Sequence, residues 1–471
     1  MEPILLTLIA QWVGAQVRGD PKAITITKIV TDSRQATPGS LFVALKGEKG
    51  DGHSYVTDAE HRGAAALLVS RPVPAQKPLL IVPDTLRALG DLAHCYLKAW
   101  RQKPSLERPR TVIAVTGSSG KTTTKDLIAT VVATAGPVVA SPESYNNEIG
   151  VPLTIFNLTE EHWAVVLEFA TRKRGDIAYL SQMAPPDIAV ITNIGRAHIG
   201  FLGSQEQIAE EKSDILLRFQ TDETKQASPP IAVLPADDPF LSRLAAKAAG
   251  TIVTFGYSEK ADVRGIRWKV TWDGTEVEAL INGRVLTVHL PALGSHNALN
   301  ALAALAVASL LNLDLEVIIG ALKRAPLPKM RLQKLWCAPP GCWVLNDAYN
   351  ANPDSVGAAL RTLKELPAQR KVAILGTMLE LGPFHEAGHQ EVGKKAAQIV
   401  DLLMVIGQDA YPIVEGALSE GMGSDQVIFY PSIEQAVGDW RQHLMEGDLV
   451  LIKGSRALKM ERLLSEFLPG Q

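Results

Sequence analysis

The chain has 471 residues, of which 46% are hydrophobic and 21% are charged, with 47 basic side chains against 50 acidic ones. This length exceeds what one hydrophobic core usually serves, so a globular protein of two or three domains is expected. The formal net charge of −3 gives no electrostatic surplus for nucleic acid or for an anionic membrane, and neither is predicted as a partner.

The N-terminus and the cysteines indicate the compartment. The first residues contain no basic segment of the kind that begins a secretory signal, and no uninterrupted apolar stretch reaches the length of a membrane span. Cys95, Cys337 and Cys342 are odd in number and lack C-x-x-C spacing, so they predict neither a disulfide framework nor a zinc site. We therefore predict a cytoplasmic, monomeric protein without membrane insertion.

Residues 1–105 are predicted to form the first domain, of mixed α/β type. A helix is predicted from about Thr85 to Trp100, and the polar stretch 101–110, with its two prolines, is typical of a linker. The predicted strands are Ile24–Ile26, Leu41–Leu45, Ala65–Val69 and Leu79–Val82.

Residues 106–326 are predicted to form a second domain with a parallel sheet, because apolar runs typical of buried strands alternate with helical segments. Alternating polar and apolar residues from Lys269 to Leu290 predict hairpins at one edge, and an alanine-rich helix is predicted from about Asn297 to Leu311. The predicted parallel strands are Val112–Val115, Ala164–Leu167, Ile188–Ile191, Ile231–Leu234 and Ile252–Phe255.

The segment Thr116–Thr124 lies between a predicted buried strand and a predicted helix. Gly117 and Gly120 allow successive backbone N–H groups to turn towards an anion, and the helix N-terminus adds partial positive charge. Lys121 would reach the outer phosphates of a nucleotide, and the Thr122 hydroxyl would hold Mg²⁺. The position six before the lysine is not glycine, so the general G-x-x-x-x-G-K-[ST] pattern fails. A shorter phosphate loop is predicted, and an ordinary turn with a solvated lysine is the alternative.

Polar clusters follow other strands of this domain, at the sheet edge where open α/β sheets bind ligands. Glu168 ends a strand and is a natural Mg²⁺ ligand, although an internal salt bridge would also explain it. Residues 144–152 are a candidate binding loop or a helix cap with a turn, and His198 is a candidate catalytic or metal-binding residue or a structural one. Lys212 lies in an amphipathic helical pattern, which on its own indicates a solvated lysine.

Residues 327–471 repeat the α/β rhythm and are predicted to form a third, doubly wound domain. Residues 346–355 are dense in hydrogen-bonding side chains directly after a strand, and residues 376–382 repeat that placement. Two ligand-facing domains across a cleft suggest that ATP is held on one and attacked with help from the other. The predicted strands are Trp343–Leu345, Val372–Leu375, Leu402–Ile406, Val427–Phe429 and Leu449–Ile452.

Several motifs, in this order along essentially the whole chain, resemble the ATP-dependent Mur ligase family. Within the family, residues 347–355 and 375–382 resemble the members that join D-alanyl-D-alanine to UDP-N-acetylmuramoyl-tripeptide. Residues 31–34, 38–47 and 51–53 resemble the UDP-binding domain. The shared motifs of the central domain are residues 116–124, Asn146-Asn147 with 150–154, residues 192–195 with Ala197-His198, and residues 294–297 with Asn300.

This resemblance implies a UDP-binding domain, a central P-loop ATPase domain and a C-terminal Rossmann-like domain. It implies catalytic roles for Lys121, His198 and Lys212, one Mg²⁺ on Thr122 and Glu168, and a second on His198 with a carbamate formed on Lys212. ATP would be bound by Gly117, Ser118, Ser119, Gly120, Lys121, Thr122, Thr123, Asn297, Asp347, Tyr349, Asn350 and Asn352, with His296 near the adenine. The muramoyl substrate would be bound by Ser33, Arg34, His53, Asn146 and Asn147.

The implied reaction activates the carboxylate of the tripeptide as an acyl phosphate, which the amine of D-alanyl-D-alanine then attacks to give the pentapeptide precursor of peptidoglycan. The chain departs from the family pattern in residues 169–175, at Pro235 and at Thr377, all on the substrate side. The alternatives are a related ligase that adds a single amino acid, an enzyme similar to folylpolyglutamate synthase, and a nucleotide-gated binding protein that hydrolyses ATP without ligation.

Overall fold

The computed structural model describes residues 1–47, 50–104, 107–217 and 229–465. Three successive portions of these residues each build one main sheet, and helices pack on the sheet faces. This arrangement confirms the predicted α/β fold with three domains, called here the N-terminal, central and C-terminal domains.

The N-terminal domain has a sheet in the order β2-β9-β8-β5-β4, parallel except for β2. The short pairs β1–β3 and β6–β7 lie outside it. Its strands are β1 (Ile4–Leu5), β2 (Gln16–Arg18), β3 (Thr25–Ile26), β4 (Lys28–Val30), β5 (Ser40–Val43), β6 (Lys46–Gly47), β7 (Gly50–Asp51), β8 (Ala66–Val69) and β9 (Leu79–Ile81). Its helices are α1 (Leu6–Trp12), α2 (Val56–His61) and α3 (Thr85–Gln102).

Helix α3 joins the N-terminal domain to the central one. Asp84 caps its first turn by accepting hydrogen bonds from the N–H groups of Leu86 and Arg87. The helix extends two residues into the predicted linker, so that part of the prediction is wrong. Arg101 explains the extension, because its guanidinium donates to the Pro185 carbonyl at 2.6 Å and pairs with a carboxylate of the central domain.

The central sheet has the order β11-β12-β10-β13-β14-β15-β16-β17-β18. It is parallel from β11 to β16, and the predicted hairpins at one edge are confirmed as antiparallel β16, β17 and β18. The strands are β10 (Thr111–Thr116), β11 (Val138–Ala140), β12 (Ala164–Glu168), β13 (Ile188–Ile191), β14 (Ile231–Pro235), β15 (Ile252–Gly256), β16 (Val263–Thr271), β17 (Gly274–Ile281) and β18 (Arg284–Leu290). The helices are α4 (Lys121–Val132), α5 (Gly150–Ile155), α6 (Asp176–Met183), α7 (Ile199–Leu202), α8 (Gln205–Ser213), α9 (Leu241–Lys247), α10 (Ser295–Leu310) and α11 (Leu315–Leu322).

Strand β10 lies inside this sheet between β12 and β13 and is buried along its whole length. Ile113 and Val115 face the core formed with α4 and α10, whereas Val112 and Ala114 face the core on the opposite side. Such two-sided burial is what an uninterrupted apolar run in a parallel sheet predicts. Because Val115 pairs with Glu168 and Thr116 with Ile191, the carboxyl ends of three strands meet at one edge.

The C-terminal sheet has the order β19-β20-β24-β21-β22-β23, parallel except for β19. The carboxyl ends of β20, β24 and β21 face the central domain. The strands are β19 (Gln333–Cys337), β20 (Cys342–Asn346), β21 (Arg370–Gly376), β22 (Leu402–Ile406), β23 (Val427–Tyr430) and β24 (Asp448–Lys453). The helices are α12 (Pro353–Glu365), α13 (His385–Ala397), α14 (Tyr411–Ser419) and α15 (Ile433–Val437).

Strands β1, β2, β4, β6, β7, β11 and β19 and residues 263–268 of β16 were not predicted. Strand β11 has three residues, too few for a periodic pattern, and β16 is exposed in its middle, so its side chains do not form an apolar run. Within the described ranges, no helix combines the length and the apolar character needed to cross a membrane.

Candidate active site

A cleft of about 960 Å³ lies between the central and C-terminal domains. One wall consists of the phosphate loop, the ends of β12 and β13, and the start of α10. The other wall consists of the segments that follow β20, β21 and β24. A cleft of this size accommodates a ligand as large as a nucleotide with part of a second substrate.

The phosphate loop has two positions where only glycine fits. Gly117 has φ +149°, and a Cβ there would lie 1.8 Å from Oγ1 of Thr192. Gly120 has φ +78°, and a Cβ there would lie 2.6 Å from Oδ1 of Asn300. The loop therefore packs directly against β13 and α10, and its backbone can approach an anion closely.

Asn193 fixes the conformation of the phosphate loop from the neighbouring strand end. Its carbonyl accepts from the N–H of Ser118 at 3.0 Å, and its Oδ1 accepts from the N–H of Ser119 at 3.1 Å. Its Nδ2 donates to the Ser119 carbonyl at 2.9 Å. Asn193, which belongs to the predicted cluster 192–200, therefore lies directly against the phosphate loop.

Lys121 and Thr122 begin α4 at the base of the cleft. The ammonium of Lys121 donates to the Gly117 carbonyl at 2.9 Å, and burial lowers its pKa while the Glu168 carboxylate raises it. The Thr122 hydroxyl donates to Oε2 of Glu168 at 2.7 Å, and Nδ2 of Asn146 donates to Oε1 at 2.7 Å. Because both carboxylate oxygens of Glu168 accept from the neutral groups of Thr122 and Asn146, its alternative interpretation as part of an internal salt bridge is wrong.

The pair of Thr122 and Glu168 suits Mg²⁺. This ion prefers oxygen ligands and is commonly bound by one or two protein groups together with phosphate oxygens and water. Among the described residues, no group of three or more His, Cys, Asp and Glu side chains could hold a metal ion by itself. A metal ion on Thr122 and Glu168 would take its remaining oxygen ligands from water or from a bound phosphate.

Lys212 is buried in α8, so its interpretation as a solvated lysine is wrong. Its Nζ has no hydrogen-bond partner among the described residues. Burial holds the pKa of this amine well below its usual range, and the charge of Lys121 lowers it further. The neighbouring Glu211 is also buried and accepts from Thr171 and from the N–H groups of Gly175 and Ile177.

His198 lies in the cleft in a left-handed backbone conformation with φ +62°. Its Nδ1 lies 2.6 Å from Oε2 of Glu380, a residue of the C-terminal domain. Burial lowers the pKa of His198, the hydrogen bond to Glu380 raises it, and the charges of Lys121 and Lys212 lower it. His198 is therefore close enough to Glu380, Lys121 and Lys212 for their charges to affect its pKa.

The start of α10 contributes a network of amides. Nδ2 of Asn300 donates to Oδ1 of Asn297 at 2.8 Å, and Asn297 donates to the Leu293 carbonyl. The adjacent His296 also lines the cleft, and its Nδ1 is buried without a partner among the described residues. Burial lowers the pKa of His296 to about 4, so the ring is neutral and can accept or donate one hydrogen bond to a ligand.

The opposite wall is centred on Asp347. Its Oδ2 accepts from Nζ of Lys453 at 2.6 Å, and Lys453 also donates to the Asn350 carbonyl at 2.9 Å. The guanidinium of Arg331 stacks 4.3 Å from the ring centre of Tyr349 and donates to Oγ1 of Thr122 at 3.0 Å. Arg331 thus joins the C-terminal wall to the phosphate loop.

Two predicted binding asparagines also cap helices. Oδ1 of Asn352 accepts from the N–H of Ser355 in a reciprocal capping box at the start of α12. Oδ1 of Asn147 accepts from the N–H of Gly150 at 2.9 Å, as the helix-cap alternative predicted for that segment. Both residues nevertheless line the cleft.

The structure does not bring Ser33, Arg34 and His53 to this cleft, because all three lie in the N-terminal domain outside its lining. Arg34 is exposed and pairs with Asp32 through two nitrogens. Nδ1 of His53 lies 2.6 Å from Oδ1 of Asp51, and its Nε2 accepts from the N–H of Ser70 at 2.9 Å. Their role in substrate binding stays a prediction.

Sequence reasoning missed Arg331, Glu380 and Lys453 as individual site residues. Lys453 ends β24, and residues 453–456 are polar directly after a predicted buried strand. The rule that identified the other strand ends would have found this segment. Arg331 has no such local signal, since its role depends on contacts with Tyr349 and Thr122.

Comparison with known proteins identifies the family of this chain. Three family models match it: "Mur ligase family, catalytic domain" over residues 25–96, "Mur ligase middle domain" over residues 115–308, and "Mur ligase, glutamate ligase domain" over residues 330–456. The UDP-N-acetylmuramoyl-tripeptide--D-alanyl-D-alanine ligase of Bacillus subtilis is 36% identical over 445 residues, which cover 93% of each chain. The chain belongs to the Mur ligase family.

Solved structures of Mur ligases agree with this assignment. MurF from Acinetobacter baumannii is 30% identical, with a TM-score of 0.89 and coverage of 99% of both chains. The MurF ligase from Thermotoga maritima, solved in complex with ADP, is 29% identical, with a TM-score of 0.80 and coverage of 93% of this chain and 96% of that one. The predicted resemblance to the D-alanyl-D-alanine-adding members of the Mur ligase family is confirmed.

Proposed function

We propose that this Mur ligase joins D-alanyl-D-alanine to UDP-N-acetylmuramoyl-tripeptide at the expense of ATP, and so forms the pentapeptide precursor of peptidoglycan. Relatives that share 36% identity over nearly the whole chain are named for this activity. The observation that supports the reaction type most directly is the cleft itself, where the phosphate loop with Lys121 and Glu168 faces the polar C-terminal segments around Asp347.

The phosphates of ATP would lie on the backbone N–H groups of residues 117–123, with the Lys121 ammonium neutralising charge on the transferred group. The terminal carboxylate of the tripeptide attacks the γ-phosphorus, and the bond to the bridging oxygen breaks to give an acyl phosphate and ADP. The amine of D-alanyl-D-alanine then attacks the acyl carbonyl, loses a proton, and expels phosphate. Asn297 and His296 would contact the adenine, and Asp347, Tyr349, Asn350 and Asn352 would close over the nucleotide.

Thr122 and Glu168 would hold one Mg²⁺, and His198 would hold a second together with a carbamate on Lys212. The ions would supply positive charge next to the phosphate oxygens. The buried amine of Lys212, which has no hydrogen-bond partner among the described residues, supports this carbamate, because burial favours the uncharged amine and only that form adds carbon dioxide. Asn146 would keep the Glu168 carboxylate in place, and Ser33, Arg34, His53 and Asn147 would bind the muramoyl substrate.

The predicted domain limits of 1–105, 106–326 and 327–471 are proposed as the functional units. Helix α3 ends at Gln102 before β10 begins at Thr111, and α11 ends at Leu322 before β19 begins at Gln333, which supports both boundaries. A cytoplasmic location and a monomeric state are proposed with them.

The assay that tests this function measures ADP release and product mass while each substrate is omitted in turn. A ligase of the proposed type releases ADP in step with pentapeptide only when both the UDP-muramoyl-tripeptide and D-alanyl-D-alanine are present. Product with a single amino acid in place of the dipeptide would instead support a related ligase. ADP release with neither substrate would support a nucleotide gate and contradict the proposal.

A further inference from the structure

The loop after β13 carries an arginine that reaches across the cleft into the C-terminal domain. Nε and one terminal nitrogen of Arg196 donate to Oδ1 of Asp354 at 3.0 and 2.6 Å. The terminal nitrogens also donate to Glu391, at 2.5 Å to Oε2 and 3.0 Å to Oε1. The backbone N–H of Arg196 donates to Oδ2 of Asp354 at 2.7 Å. We call these three residues the interdomain ion cluster.

The cluster connects three separate elements. Asp354 lies in the first turn of α12, Glu391 lies on α13, and Arg196 belongs to the central domain. A planar guanidinium can hold two carboxylates at once through its fork of donors, whereas an ammonium is a single point charge. The side chains are between 28% and 37% exposed. The guanidinium is bidentate to the two oxygens of Glu391 and also donates twice to Oδ1 of Asp354, and such a network contributes more than an isolated surface pair.

The same loop also touches the phosphate loop. The Ser118 hydroxyl donates to the Gly195 carbonyl at 3.1 Å, one residue before Arg196. A Cβ at Gly195 would lie 2.8 Å from Oδ2 of Asp354 and 3.3 Å from Cβ of Ser118. The Gly195 backbone is therefore packed between the phosphate loop and the start of α12.

A second contact continues this junction towards His198. The N–H of Gly200 donates to the Glu380 carbonyl at 2.9 Å, and a Cβ at Gly200 would lie 2.6 Å from the Gly382 nitrogen. The backbone at Gly200 is thus in direct contact with the backbone of residues 380–382 of the C-terminal domain. The position of the C-terminal domain is tied to the phosphate loop by the stretch 195–200.

We propose that Arg196 is a positioning residue for the ligation step: through the interdomain ion cluster it fixes the C-terminal wall against the phosphate loop. The inference rests on the proposed function. The acyl phosphate forms on the central wall, and its carbonyl must meet the dipeptide amine before it meets water. When Arg196 holds the C-terminal domain against the central domain, the dipeptide amine stays close to the acyl carbonyl and water is excluded from the cleft.

If Arg196 positions the C-terminal wall, its loss should reduce pentapeptide formation more than ADP release. A purely structural role would reduce both to the same extent. Phosphoryl transfer depends mainly on Lys121 and Glu168 of the central wall, so release of ADP should continue when Arg196 is altered. Capture of the acyl phosphate depends on the relation of the two walls. Loss of Arg196 should therefore lower both the ligation rate and the amount of pentapeptide formed per ADP released.

The test compares Arg196→Ala and Arg196→Lys with the wild-type chain under saturating substrates. In Arg196→Ala, kcat for pentapeptide formation should fall about 10- to 100-fold, and pentapeptide per ADP should fall below about half of the wild-type ratio. Arg196→Lys should lie between the two, because an ammonium keeps the positive charge but lacks the planar fork of donors that pairs with both carboxylates. Arg267→Ala is the matched control, since Arg267 pairs with Glu278 inside the central sheet and away from the cleft.

Each outcome is decisive. Wild-type kcat and ratio in Arg196→Ala would overturn the inference, and so would a lower melting temperature with an unchanged ratio. A similar fall of the ratio in Arg267→Ala would also overturn it. If Arg196→Ala does not fold, Glu391→Gln removes one side of the cluster and should lower the ratio in the same direction, and a wild-type ratio there would contradict the inference. Absence of pentapeptide from the wild-type chain would instead overturn the proposed function.

Discussion

The two walls of the cleft are held in place in different ways. The central wall is built from neighbouring parallel strands, and the phosphate loop is fixed by hydrogen bonds between its backbone and Asn193 and by glycines packed on β13 and α10. The C-terminal wall meets it through side chains, such as Arg331 on Thr122 and Glu380 on His198, and through a backbone hydrogen bond from Gly200 to Glu380. In the proposed reaction, phosphoryl transfer therefore relies on groups arranged within one domain, whereas attack by the amine relies on polar contacts between two domains.

The largest effect is expected at Lys121. Lys121→Ala removes the ammonium that would neutralise the transferred phosphoryl group, and the rate of ADP formation should fall by at least about a thousandfold. Circular dichroism and the melting temperature should stay near those of the wild-type chain, because the hydrogen bonds of Nζ to described residues go to the Gly117 and Ser118 carbonyls of its own loop. Near-normal ADP formation would sink the assignment of this loop.

Glu168 tests whether the central wall holds the metal ion. Glu168→Gln preserves the shape but removes the charge, so ADP formation should fall about a hundredfold and more Mg²⁺ should be needed for half-maximal rate. A titration with Mg²⁺ measures both. Glu259→Gln, at an exposed carboxylate of the same domain, serves as the control and should leave the Mg²⁺ requirement unchanged. An unaltered requirement in Glu168→Gln would remove Glu168 from the metal site.

Gly117 tests the rigidity of the central wall. Gly117→Ala places a Cβ against Thr192 in a backbone conformation that alanine rarely adopts, so the loop must shift. Strain of about 2 kcal/mol corresponds to about a 30-fold weaker affinity for ATP, measurable by calorimetry. Gly283→Ala has φ +77° but open space around the new Cβ, and it should leave ATP affinity unchanged. Equal effects of the two substitutions would contradict a specific role of the packed loop.

Arg331 tests the contribution of the C-terminal wall to nucleotide binding, and the smallest effect is expected here. Arg331→Ala loses the stacking on Tyr349 and the hydrogen bond to Thr122, so the KM for ATP should rise about tenfold. The kcat should change less than the KM. The control Arg462→Ala removes an exposed pair with Glu434 and should match the wild-type chain. A fall in kcat as large as that of Lys121→Ala would mean that Arg331 of the C-terminal wall contributes to phosphoryl transfer as much as Lys121 of the central wall does.

Much of the central wall could be predicted because its signals are local. An apolar run followed by polar residues identifies a strand end, and the parallel register then brings Glu168, Thr116 and the loop after β13 together. Lys212 could not be placed from its helical pattern, because its burial depends on elements that pack around α8. The contacts of Arg196 join positions 158 and 195 residues apart, and no local pattern encodes them.

The transfer of oxygen from substrate to phosphate tests the central claim most directly, namely that the cleft activates a carboxylate for capture by an amine. The terminal carboxylate of the UDP-muramoyl-tripeptide is labelled with oxygen-18, and the phosphate released during ligation is examined by mass spectrometry. One labelled oxygen should appear in each phosphate, because the carboxylate oxygen that attacks the γ-phosphorus leaves with it. Unlabelled phosphate formed together with pentapeptide would contradict an acyl phosphate intermediate. It would also contradict the proposal that the central wall activates the carboxylate and the C-terminal wall positions the amine.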